Sequence, residues 1–179
     1  MSPYAIDKLA AERYLAHYHR AGAFAASAFR FFNVYGPRQN PGSPYSGVIS
    51  IFLDRASRRE GVTIFGDGRQ TRDFVYVADL VDILTAAVTG TARDAQVGRD
   101  AAPSAVNLAS GSSVDLLVLL SAVKEAAGLE EPLPVAFAPR RDGDIDRSEA
   151  DVSLLRATFG TVPDTPLAVG LGHTFRSLS

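Results

Sequence analysis

The chain has 179 residues, 46% of them apolar, which is enough for the core of one ordinary domain and excludes a disordered chain or a stapled miniprotein. Its formal net charge of -2 comes from interspersed acids and bases, so there is no broad positive field for nucleic acid or an anionic membrane, and any anion recognition has to be local. Cysteine is absent, which excludes disulfides, thiolate metal sites and a cysteine nucleophile; no apolar run approaches the roughly 20 residues of a membrane span, and a soluble, cytoplasmic protein without a secretory leader is expected.

Ser2 and Pro3 form a helix opening, N-cap then first helical position, and the alanine-rich run behind them predicts a helix that stops near Gly22. Phe24 to Phe32 reads as a short, buried strand, followed by a long loop marked by Gly36-Pro37 and Pro41-Gly42. Val48, Ile49, Phe52, Leu53 and Ala56 recur at helical spacing and predict a core-facing stripe. Strands are predicted at Val62 to Phe65 and Arg72 to Val77, across the turn Gly66-Asp67-Gly68, then a helix from Asp79 to Val88. Residues 90 to 104 read as a surface loop, Ala105 to Ala109 as a strand, Ser113 as the cap of a helix ending at Gly128, and Val135 to Ala138 as a last strand. Short helices near Val152 to Phe159 and Leu167 to Leu178 close the chain, with no internal repeat.

Tyr4 and Lys8 lie one turn apart on the first predicted helix, so both side chains can meet around one reacting atom. An ammonium beside a phenol favours the phenolate, a usable general base. The pattern alone is common on helices, and only further motifs along the chain can give it meaning. Phe31-Phe32-Asn33-Val34-Tyr35-Gly36-Pro37-Arg38 comes next. Ser43-Pro44-Tyr45-Ser46-Gly47-Val48-Ile49, Thr63-Ile64-Phe65-Gly66-Asp67-Gly68, Thr71-Arg72-Asp73-Phe74-Val75-Tyr76-Val77 and Arg140-Arg141-Asp142-Gly143-Asp144 then succeed one another in order. This series, spanning nearly the whole chain, resembles the extended short-chain dehydrogenase/reductase family of NAD-dependent epimerases and dehydratases, in its UDP-glucose 4-epimerase-like branch.

The resemblance implies an α/β fold: part of a doubly wound, Rossmann-type sheet plus a small α/β substrate-binding domain. Residues 1 to 45 would belong to the former and 46 to 179 mainly to the latter, with segments at about 71 to 90 and 105 to 112 returning to the sheet. Tyr4 would be the acid/base at the sugar hydroxyl, Lys8 the group holding the nicotinamide ribose, and Phe31 a neighbour of the nicotinamide. Asn33 would bind the sugar nucleotide beside its phosphates, or else be a loop-capping asparagine. The backbone of Ser46, Gly47 and Val48 would meet the uridine, and Thr63 and Phe65 would line the base pocket, unless both are plain strand core. Arg72 and Arg141 would grip the diphosphate with planar forks of donors, and Asp144 would accept from a ribose hydroxyl. The alternative is that Arg72-Asp73 and Arg141-Asp144 are surface ion pairs worth about 0 to 1 kcal/mol each.

Arg38, Arg69 and Arg140 read as ordinary surface cations; His17 and His19, two apart on a helix, cannot share a metal and read as surface residues. No metal site is expected. The chain contains no Gly-x-x-Gly-x-x-Gly turn of the kind that cradles a dinucleotide pyrophosphate, and the serine or threonine that assists the tyrosine in this family is not among its motifs. The resemblance therefore implies the C-terminal part of such an enzyme. NAD is expected as cofactor of the complete enzyme rather than as a ligand of this chain alone, and a UDP-sugar as substrate. The activity implied is epimerisation at C4; the alternatives are a catalytically inactive nucleotide-sugar-binding fragment, or a dehydratase, decarboxylase or reductase. Self-association, or association with an N-terminal half, is expected through an exposed sheet edge and an apolar helix face.

Overall fold

A computed structural model describes residues 3–24, 26–43, 47–90 and 105–178; the predicted Ser2 cap, Ser46 and most of the 90 to 104 loop lie outside them. The chain runs α1 (Pro3–Arg20), β1 (Phe29–Phe31), β2 (Asn33–Tyr35), α2 (Val48–Ser57), β3 (Val62–Phe65), β4 (Thr71–Arg72) and β5 (Phe74–Tyr76). It continues with α3 (Val77–Thr89), β6 (Val106–Leu108), β7 (Val114–Asp115), α4 (Leu116–Ala126), β8 (Val135–Ala138), α5 (Ser153–Phe159) and α6 (Leu167–Arg176).

The described strands pair two by two. β1 runs parallel to β6, β2 to β5 and β3 to β8, while β4 and β7 are antiparallel. Parallel partners need long crossovers, and here helices fill them, as expected for an α/β architecture. One core gathers α2, β3, α4 and α6 around Ile49, Leu53, Ile64, Leu119, Val123 and Leu171. A second gathers β5, α3, β6 and α5 around Val75, Ile83, Leu108 and Leu155. The predicted stripe on α2 is buried at Ile49, Phe52, Leu53 and Ala56.

Two glycines make this packing possible. Gly68 sits at φ +80° in the β3–β4 turn, and a Cβ there would stand 2.9 Å from Leu117 Cδ2. Gly170 on α6 lets the Tyr35 phenol approach so closely that a Cβ would lie 2.2 Å from its hydroxyl oxygen.

Several elements differ from the sequence expectation. The strand expected over Phe24 to Phe32 is only β1; Phe24 and Phe31 are 47% and 53% exposed, and a further strand, β2, occupies part of the expected loop. At Phe32 the backbone leaves β6, donating to Leu108 O, and at Asn33 it joins β5, donating to Asp73 O; local apolarity cannot report that change of partner. The strand expected over Arg72 to Val77 is likewise two, split at Asp73 because β4 pairs with β7 and β5 with β2, and α3 begins at Val77. The α4 cap is Asp115, which accepts from Val118 N at 2.7 Å, whereas Ser113 donates to Glu149. His19 is half-buried rather than a surface residue: its Nδ1 accepts from Ala26 N at 3.2 Å where the chain folds back under α1.

Leu119 is fully buried at the junction of α4 with its core, so Leu119→Ala should lower unfolding free energy by roughly 2–5 kcal/mol in a urea titration. Val88→Ala, at a side chain 88% exposed, should leave the midpoint unchanged.

Candidate functional site

A cavity of about 600 Å³ opens between α2, β3 and the segment 141–144. Val48, Thr63, Phe65, Arg72, Arg141 and Asp144 all line it. The two arginines expected to share a cleft do so.

Arg72 comes from β4 and is largely buried, 16% exposed at its side chain. Its Nη1 donates to Thr71 O at 2.8 Å and to Ile145 O at 2.6 Å, and its Nη2 donates to Asp144 Oδ1 at 2.5 Å. The segment 141–148, a strap along β4, is also hydrogen-bonded to it through its backbone, Thr71 N to Asp146 O and Ser148 N to Thr71 O. The surface pairs Arg72-Asp73 and Arg141-Asp144 weighed as an alternative are thus not formed as such. The pair is Arg72 with Asp144, because β4 and the strap run side by side, bridged at Thr71 and Arg147. Asp144 Oδ1 also accepts from Ile145 N at 3.0 Å. A carboxylate has capacity for further donors on its other oxygen.

Arg141 makes a different contact. Its guanidinium carbon stands 3.7 Å from the centroid of the Phe65 ring, a cation–π stack across the cavity wall. Phe65 is held in turn by Gln70, a buried residue whose Nε2 donates to Phe65 O at 2.7 Å. Arg140 points away from this arrangement: it is exposed and paired with Asp146, whose hydrogen bond and charge push the guanidinium above its ordinary value.

A smaller space of about 250 Å³ adjoins, sharing Val48, and is lined by Asn33, Gln39, Gly47 and Phe74. Asn33 Nδ2 donates to Asp73 O at 2.9 Å, so the carboxamide is held in place. Nearby Tyr35 is buried; burial, then Asp79 and Tyr76, push its phenol far above the ordinary value, so it is a neutral hydroxyl.

Tyr4 and Lys8 do meet, the Lys8 ammonium lying 5.3 Å from the Tyr4 ring centroid. They stand on a helix whose sole buried member is Ala16, Tyr4 being 70% exposed, and neither lines the two cavities, nor does the exposed Phe31. A two-pronged ion pair between Arg30 and Glu12, at 2.9 and 3.0 Å, ties α1 to β1. Sequence reading missed Asp73, Gln70 and Gln39. Gln70 and Gln39 bond the main-chain carbonyls of Phe65 and Val34, and the Asp73 carboxylate bonds the Ser110–Gly111 turn, contacts that residue type alone does not announce. Among the described residues no cluster of three or more His, Asp or Glu could hold a metal, and no helix is long and apolar enough to cross a membrane.

Parallel strand pairs joined by helices, with a cavity lined by Arg55, Arg72 and Arg141 and a Tyr-x-x-x-Lys helix ahead of the first strand, define an α/β protein. Residues 1–107 match the model of the NAD dependent epimerase/dehydratase family, and the chain belongs to that family. It is 36% identical to a UDP-glucose 4-epimerase of Mycolicibacterium smegmatis over 97% of this chain and 51% of that protein. It is 31% identical to UDP-glucuronic acid decarboxylase 4 of Arabidopsis thaliana over 95% of this chain and 35% of that protein. In structure it is similar to a UDP-glucose 4-epimerase from Thermotoga maritima solved with UDP-glucose, TM-score 0.85 and 33% identity, covering 99% of this chain and 53% of that one. MoeE5 solved with UDP-glucose and NAD gives TM-score 0.80 and 34% identity, covering 99% and 55%. The chain thus spans about half the length of these epimerase relatives.

Lysine cannot reproduce the planar fork by which Arg72 reaches two carbonyls and a carboxylate. Arg72→Lys should therefore release the strap, seen as amide exchange at Thr71 and Ser148 faster by about tenfold or more, with exchange in α4 unchanged.

Proposed function

We propose that this chain supplies the nucleotide-sugar-binding part of an NAD-dependent nucleotide-sugar epimerase, of the UDP-glucose/UDP-galactose 4-epimerase type. The observation that carries the reading is the convergence of Arg72, Arg141 and Asp144 on one cavity walled by Phe65, which offers cationic forks, a carboxylate acceptor and an aromatic face within one space. A UDP-sugar needs those groups: donors for two phosphates, an acceptor for a ribose hydroxyl, and apolar surface for a flat base. Thr63 and Val48 line that cavity, Val48 and Gly47 line the smaller one, and the sequence places Ser46 beside them.

Residues 1–45 would then be the end of the dinucleotide-binding domain and 46–179 mainly the sugar-nucleotide domain. Support comes from the parallel pairs β1 with β6 and β2 with β5, which return the segments near 75 and 107 to the strands of the first part.

The residues of α1 suit the nicotinamide end of NAD: an exposed phenol and ammonium on one face, with the exposed Phe31 ring on β1. NAD, held in the complete enzyme with Lys8 at its ribose, would supply the acceptor and then the donor of the hydride at C4 of the sugar. Tyr4 accepts the proton of the C4 hydroxyl as the carbonyl forms there and gives it back on the return step. Lys8, beside it, stabilises the phenolate and reaches ribose hydroxyls. Arg72 and Arg141 hold the diphosphate while the sugar turns to present its other face, so the net redox change is zero.

A second reading has an observation of its own: Tyr4, Lys8 and Phe31 lie outside both cavities, which favours a chain that by itself binds nucleotide sugar without converting it. The epimerase relatives stand beside UDP-glucuronic acid decarboxylases, and a decarboxylase or dehydratase of the same family would use the same cavity.

Calorimetry with UDP should show saturable binding by this chain, weakened about tenfold or more by Arg141→Ala, whereas NAD should show none. No UDP binding would refute the cavity's role. Mixed with a dinucleotide-binding half, the chain should convert UDP-glucose to UDP-galactose, and Tyr4→Phe should lower that rate by at least about a hundredfold while UDP affinity stays the same. The exposed Tyr4, Ile6, Tyr14 and Tyr18 of α1 predict self-association in sedimentation; a clean monomer at micromolar concentration would count against it.

A further inference from the structure

Asp73 has no exposed surface, yet it carries a carboxylate that no cation neutralises through a described ion pair. Burying such a group is costly unless hydrogen bonds replace its water. Three do so: Oδ1 accepts from Ser110 N at 2.9 Å and from Ser110 Oγ at 2.8 Å, and Oδ2 accepts from Gly111 N at 2.9 Å. A carboxamide could not match this set, because its NH₂ would face an N–H or O–H donor on one side.

The backbone of the same residue turns to the site. Asp73 O accepts from Asn33 N at 3.1 Å and from Asn33 Nδ2 at 2.9 Å. A carbonyl can only accept, so this bond fixes which end of the Asn33 carboxamide is nitrogen and leaves its oxygen and second N–H for the space it lines. Asp73 also separates β4, which carries Arg72, from β5, which pairs with the strand that Asn33 opens.

We infer that Asp73 is a positioning residue of the nucleotide-sugar site: its carboxylate anchors the Ser110–Gly111 turn, and its carbonyl thereby holds the Asn33 carboxamide at a fixed place relative to Arg72. The inference rests on the function proposed above for what Asn33 binds, but the mechanical link between Asp73 and Asn33 stands apart from it.

The test has an arm without ligand. In ¹⁵N-labelled free protein, the side-chain NH₂ resonances of Asn33, assigned by their loss in Asn33→Ala, should shift and exchange faster in Asp73→Asn. In Ser110→Ala, which keeps both backbone donors and so the fold, they should move the same way by less. Asn33 resonances that stay put in both folded variants would overturn the inference; if Asp73→Asn fails to fold, Ser110→Ala decides it alone. The second arm is a double-mutant cycle read by calorimetry with UDP-glucose. Asp73→Asn and Asn33→Ala should each weaken binding by about tenfold, and the double variant no more than either. Losses that multiply would mean that Asp73 acts on the fold and not through Asn33. A wild-type chain that fails to bind UDP-glucose would sink the proposed function, and the resonance arm would still decide the coupling.

Discussion

The Arg72 guanidinium is the interaction on which the cavity depends. It joins β4 to a strap more than seventy positions away in sequence, donating to Ile145 O and Asp144 Oδ1 while bracing itself on Thr71 O. Arg141 and Asp144 belong to that strap or its approach, and their place at the cavity follows from its attachment. A charge-assisted, multi-pronged bond of this kind is stronger and more directional than a neutral one, and being largely buried it is little weakened by solvent. The arginine that lines the cavity is therefore also the one that fastens the strap beside it.

Arg141 is held in a complementary way. Stacked on Phe65, its guanidinium is kept in a plane and close to an apolar face without committing its N–H donors to protein acceptors described there. Phe65 ends β3, which the parallel pairing with β8 holds in register, and Gln70 clamps its carbonyl. The rigid elements carry the aromatic and one arginine, the strap carries the other charged groups, and the space between them is the candidate nucleotide site.

The molecule is organised as two apolar cores, with a buried carboxylate at the seam where β4 gives way to β5. Tyr35, Phe74 and Tyr76 pack at the first core, Val75 sits in the second, and the short strands β2 and β5 alternate between the two. Asp73 lies on this seam, where β4 departs for an antiparallel partner and β5 for a parallel one. A buried carboxylate suits that place, since it satisfies the backbone N–H groups of the Ser110–Gly111 turn that no strand could pair. The ion pair of Glu12 with Arg30 fastens α1, the helix of Tyr4 and Lys8, to β1.

The sequence by itself determined the elements with strong local patterns: the apolar stripe of α2, the strands β3 and β8, the helices α3 and α4, and the order of motifs that pointed to the family. It also marked Phe65, Arg72, Arg141 and Asp144 among the residues that line the cavity, because arginine, aromatic and aspartate side chains announce their chemistry wherever they stand. The tertiary structure decided which of them pair. That Arg72 takes Asp144 and not its neighbour Asp73, and that Asp73 turns inward to Ser110, follows from strand partnerships formed far along the chain. The splitting of the strands at Phe32 and Asp73 and the exposure of Phe31 have the same origin. Hydrogen-bond partners and solvent are assigned by the assembled sheet and helices, and a local window of residues carries no record of that assignment.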